Sequence, residues 1–120
     1  MARAEFEAQL PSLLENVFTT FSDTLKEAND KDIEAQFGDD SKLTVRERVL
    51  GGKNITQHLR KLNCEFTAEK YVHTFTQDDQ VIVTGTCVWG NAKTAFTAVL
   101  DVDLAGSRLT IANLIIFPAK

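Results

Sequence analysis

The spacing of hydrophobic residues changes partway along the chain. From about Ala4 to Glu27, Phe6, Leu10, Leu13, Leu14, Val17, Phe18, Phe21 and Leu25 recur at steps of three and four. That spacing predicts a long amphipathic helix. Pro11 either kinks this helix or marks its true start, with the residues before it as a loosely attached first turn. Asn29-Asp30 ends the helix, and residues Lys31 to Phe37 predict a short second one stopped at Gly38. Asp39-Asp40-Ser41 reads as a turn. Short strands follow at Leu43-Thr44-Val45 and Val49-Leu50, with Arg46-Glu47-Arg48 between them. Gly51-Gly52 breaks the chain, and a third helix from Lys53 to Leu62 carries Ile55, His58, Leu59 and Leu62 on one face. From Glu65 the period drops to two. Strands are predicted over about 65–76, 81–89, 93–104 and 108–117, with breaks at Gln77-Asp78-Asp79-Gln80, Gly90-Asn91 and Ala105-Gly106-Ser107.

These last strands have an unusual colouring. In the strand at 81–89, Val81, Val83, Cys87 and Trp89 alternate with Ile82, Thr84, Thr86 and Val88, and neither set is charged. At 109–117, Leu109, Ile111, Ile115 and Phe117 alternate with Ala112, Leu114 and Ile116. A sheet with one wet face alternates apolar and polar residues instead. Both faces of this sheet are therefore expected to avoid water, one under the chain's own helices and the other against another protein. Gly85 is a candidate bulge that would flip the register beyond it. Helices gathered ahead of a run of strands indicate an α+β fold. The 120 residues suit one domain, 1–120, in which a strongly curved antiparallel sheet wraps the helices as a cone with an internal cavity.

Composition narrows the function classes. A net charge of −4 gives no bulk support for nucleic-acid binding, and Arg46, Arg48, Lys53, Arg60 and Lys61 read most simply as a solvated basic face. Cys64 and Cys87 fit no CxxC spacing, so no metal site is expected, and Cys87 reads as a small core residue. The opening Met1-Ala2-Arg3-Ala4-Glu5 reads as the lead into a helix rather than a signal peptide, and no apolar run is long enough to span a membrane. Cytosol or nucleus is the expectation.

Three segments, in order, resemble the nuclear transport factor 2-like family. They are Asp40-Ser41-Lys42-Leu43-Thr44-Val45, Gly52-Lys53 with Ile55, Leu59 and Leu62, and Ile111-Ala112-Asn113-Leu114-Ile115-Ile116-Phe117. The likeness is nearest the nuclear transport branch. It implies a non-enzymatic adaptor without cofactors that joins a partner through the outer face of its sheet. The residues assigned to that face are Ile82, Thr84, Val88, Ala95, Thr97, Val99, Leu114 and Ile116. The Ran importer of this branch carries a Trp where Val45 stands, an acidic hairpin where Gly90-Asn91-Ala92-Lys93-Thr94 stands, and an Arg where Pro118 stands. These departures turn the expectation toward the small subunit of a heterodimeric messenger RNA export receptor. Such a protein would work in the nucleus, nuclear envelope and cytoplasm, with nucleoporin repeats as a further partner. A homodimeric importer of Ran-GDP is one alternative, and a small-molecule-binding protein or enzyme of the same fold is another.

Candidate cavity residues are His58, Trp89 and Phe96. His58 could act as a base inside the cone, or could be a histidine satisfied at a helix edge. His73 alternates with Tyr71 and Phe75. Enzymes of this fold place an acid, His or Tyr where apolar surroundings raise a carboxylate's pKa. Asp101 and Asp103 are the only acids in the final three strands, and exposure suits them better than catalysis. No catalytic residue is assigned. A cavity filled by Phe and Leu side chains would count against the small-molecule reading.

Overall fold

A computed structural model describes residues 2–27, 37–45, 48–51, 55, 57 and 66–117. Helix α1 runs Arg3–Glu27, and six strands follow: β1 Phe37–Val45, β2 Arg48–Gly51, β3 Phe66–Phe75, β4 Gln80–Trp89, β5 Ala92–Asp103 and β6 Arg108–Ile116. They form one sheet in the order β2-β1-β6-β5-β4-β3. The run β3 to β6 is the expected antiparallel meander. The sheet as a whole is mixed, because β1 pairs parallel with β6. The expected second helix over 31–36 and most of the third, including His58, lie outside the described residues. Ile55 and Gln57 are helical, and Ile55 is buried.

Helix α1 is continuous through Pro11. The proline is exposed, so the Glu7 carbonyl that it leaves without a helical donor also faces the solvent side. The buried residues of α1 are Phe6, Leu10, Leu14, Phe18, Phe21 and Leu25, the stripe that the spacing predicts. They lie on the inner face of the sheet against Val81, Val83, Cys87, Trp89, Phe96, Ala98, Leu100 and Ile111. The interior is therefore an aromatic core. Phe66 meets Phe21, Phe96 and Trp89 edge to face at centroid distances of 5.3, 5.8 and 6.2 Å.

Arg3 fastens the start of α1 to the β3–β4 hairpin. Its guanidinium donates to Asp79 at 2.7 Å and to the Thr76 carbonyl, and stacks 3.7 Å from the centre of the Phe75 ring. The β4–β5 hairpin closes on Gly90-Asn91, where only Gly90 has a positive φ, 65°. That is the glycine placement of a two-residue type II′ turn.

Three irregularities bend the sheet and correct the expected faces. Between β1 and β6, Phe37 and Lys42 oppose Ile111 and Asn113, so three extra residues fall within 38–41 on β1. Phe37 is thus a strand residue rather than the end of a helix, and Gly38 and Asp39-Asp40-Ser41 form the irregular part of a strand rather than a separate turn. The buried Ser41 hydroxyl donates to the Ile111 carbonyl at 2.6 Å, holding the two strands together there. On β6, Ala112 is an extra residue between the pairs Leu100–Ile111 and Val99–Asn113. It shifts the alternation by one, so Leu114 and Ile116 point into the core at 1% and 2% exposure. On β3, Glu69 is the extra residue between Ala68 and Lys70. Strand β4 keeps an unbroken register through Gly85, so no bulge lies there and Trp89 faces inward. Gly85 is required for a different reason. A Cβ at this position would lie 2.0 Å from the Lys70 carbonyl oxygen and 2.6 Å from the Tyr71 Cβ.

Candidate functional site

A pocket of about 310 Å³ opens between α1 and the edge strand β3. The helix contributes Glu15, Phe18, Thr19, Ser22 and Asp23, at offsets of three, four, seven and eight from Glu15. Those offsets share one helix face. The strand contributes Thr67, Ala68 and Tyr71. Ala68 and Tyr71 are three residues apart, yet both pack on the core side, because the extra residue at Glu69 takes up the odd step. The bulge thus places a small residue and an aromatic one opposite the helix, and the small one leaves the gap. The edge position of β3 keeps the gap open to solvent.

The pocket has an apolar floor and a polar rim. Phe18 forms the floor, with its ring 5.1 Å from Tyr71 and 5.5 Å from Phe96, both edge to face. Partial burial, and secondarily the Glu15 carboxylate, raise the Tyr71 pKa above its ordinary value. The hydroxyl therefore stays protonated through and beyond neutral pH, available as a hydrogen-bond donor or as an acceptor through its oxygen. Neither Glu15 nor Asp23 forms an ion pair with the described residues.

The candidates read from the sequence lie elsewhere. Trp89 and Phe96 point inward at 7% and 1% exposure, as parts of the packed core rather than of an open cavity. His58 lies outside the described residues. His73 is exposed on β3. Asp101 and Asp103 are exposed. Asp101 accepts from the Gln80 amide at 3.0 Å, and Asp103 accepts from the Gly106 backbone N–H at 3.1 Å. Among the described residues, no group of three His, Cys, Asp or Glu side chains is placed to share a metal ion. The hydrophobic spacing of α1 marks its apolar stripe and does not single out the polar wall beside it. Glu15, Thr19 and Asp23, spaced by four along its border, were the available signal.

Of the residues assigned to the outer face, Ile82, Thr84, Val88, Ala95, Thr97 and Val99 alternate with the buried ones and point outward. Leu114 and Ile116 do not; Asn113 and Ile115 take their places. One row crosses all six strands as Val72, Thr84, Thr97, Ile115, Thr44 and Val49, with no charge in it. Val72 and Val49, at its two ends, are 71% and 61% exposed.

The sequence matches no family model and no curated protein. Its fold does match solved structures. A protein from Novosphingobium aromaticivorans DSM 12444 assigned as a scytalone dehydratase superposes with a TM-score of 0.78 at 8% identity, covering 94% of this chain and 86% of that one. A protein from Shewanella frigidimarina NCIMB 400 assigned as a ketosteroid isomerase superposes at 0.67 with 18% identity, covering 84% and 91%. LinA superposes at 0.74 with 10% identity, covering 94% and 88%. At such identities the likeness is one of fold, and the chain has the nuclear transport factor 2-like α+β cone fold.

Proposed function

We propose that this chain is a small-molecule-binding protein whose ligand sits between α1 and β3. The observation that carries this reading is the 310 Å³ pocket with its aromatic floor and hydrogen-bonding rim. Sites for small ligands are usually apolar concavities with a few placed polar groups, and this one is near the small end of their range. The fold neighbours named above, an assigned dehydratase and isomerase among them, support this over the adaptor reading. The aromatic filling of the described interior counts against a site deep in the cone, which moves the reading to the rim. Tyr71 is the residue proposed to orient a ligand through its hydroxyl, and Phe18 and Ala68 are proposed to hold its apolar part.

The test is an NMR titration with a library of aromatic fragments. Binding is expected to move the amide signals of residues 15–23 and 67–71 and to be lost in Thr19→Trp, whose indole fills the pocket from an exposed helix position. Shifts confined to other surfaces, or no binding at all, would overturn the proposal.

The outer face supports a companion proposal, that two copies associate through it. Its uncharged six-strand row is the specific observation. Beside that row, the Asn113 side-chain carbonyl is buried without a hydrogen-bond partner among the described residues.

A further inference from the structure

We infer that the α1–β3 pocket selects a small organic cation, an amine or quaternary ammonium joined to a short apolar body. This inference rests on the pocket reading above and adds the ligand's charge. The charged groups lining the pocket are Glu15 and Asp23, eight residues apart along one face of α1 with Thr19 midway between them. Both are carboxylic side chains, and neither forms an ion pair with a described cation. The nearest lysine in sequence on the strand, Lys70, points the other way. It pairs with Thr86 and lines a separate depression on the outer face together with Glu69 and Lys93, which are 4.0 Å apart.

The remaining lining matches the same ligand class. Phe18 and Tyr71 meet at 5.1 Å edge to face and put two aromatic side chains into the lining. Aromatic faces attract cations, and quaternary ammonium groups are often held this way. The Tyr71 hydroxyl, which remains protonated, adds no negative charge but offers its oxygen to an ammonium N–H. A carboxylate ligand would face two like charges with no compensating donor except hydroxyls. An uncharged ligand would fit the floor and leave the acidic wall unused.

The experiment compares four probes of similar shape by NMR titration of the intact protein: benzyltrimethylammonium, benzylamine, benzyl alcohol and benzoate. The two cations are expected to bind about five- to tenfold tighter than the alcohol at low salt, and benzoate weakest of the four. The cation advantage is expected to shrink as salt rises, and to vanish in the Glu15→Gln, Asp23→Asn double variant while alcohol binding persists. Both replacements keep shape at exposed positions, so the fold is expected to survive. Equal binding of alcohol and cations, or a cation preference that outlasts the double variant, would overturn this inference and leave the pocket reading standing. Failure of all four probes to reach residues 15–23 and 67–71 would overturn both.

Discussion

Two residues show how local physics fixes this fold. Gly85 sits where β3 bulges toward β4, and its missing Cβ makes room for the Lys70 carbonyl and the Tyr71 side-chain base. Because backbone would have to move, Gly85→Ala is expected to destabilise the protein by about 3 kcal/mol, near the upper end for overpacking. Chemical denaturation would measure it, and a change below about 0.5 kcal/mol would contradict the geometry. Cys87 is fully buried on the same strand. Burial, and then the nearby Glu69 carboxylate, push its thiol pKa up from 9.0 to about 11. Between those values the unfolded chain loses a proton that the folded chain keeps, so stability falls as pH rises. This thiol is expected to contribute a slope of about −1.4 kcal/mol per pH unit over that window and nothing below it. The pH dependence of denaturation in Cys87→Ala is expected to be flatter over that range by that amount.

At the scale of elements, regular periods were legible in the sequence and interruptions of period were not. The stripe of α1 and the alternation of β4 and β5 follow directly from residue spacing, because helix and strand bury residues at fixed intervals. Each misread face traces to one inserted residue. Ala112 carries no glycine, proline or charge to announce a bulge, yet it reverses every side chain beyond it on β6. Gly85 looked like a bulge and instead accommodates one on the neighbouring strand. The candidate site was less legible still. Its residues come from segments some fifty positions apart, and its opening depends on the bulge at Glu69, which the alternation hides. The corrected register is testable. Leu114→Ala is expected to cost about 2–5 kcal/mol because it empties a packed site, whereas Ile115→Thr, on the outward side, is expected to cost well under half as much. Equal losses would return Leu114 to the outer face.

For the whole molecule, the fold class was legible and the assembly is open to measurement. Helix before sheet, and four strands in series, gave the α+β cone; the parallel β1–β6 pairing could not be read from short strands alone. The outer face is rich in threonine and β-branched residues rather than fully apolar, which suits a surface that is wet when alone and covered when paired. Light scattering is expected to give twice the 13.3 kDa chain mass, and Thr97→Lys, which puts a charge at the centre of the row, is expected to return it to one. A monomer in both cases would dismiss the outer face as a self-association surface. A dimer that survives Thr97→Lys would place the contact elsewhere.

The position of β6 in the strand order also bears on how the chain folds. It lies between β1 and β5, so it alone joins the β1–β2 pair to the rest of the sheet. The β1–β6 pairing matches residues some seventy positions apart, Thr44 with Ile115 among them. Neither β1 nor the face of α1 that meets β6 can reach its final partners until nearly the whole described chain has been synthesised. Loop-closure entropy must be met before that contact returns anything, which places this topology among slower-folding domains, on the order of milliseconds to seconds. Until β6 arrives, the edge of β5 and the part of α1 that packs on β6 stand uncovered. The chain is thus most exposed to aggregation during synthesis, and cellular protection would matter most in that interval.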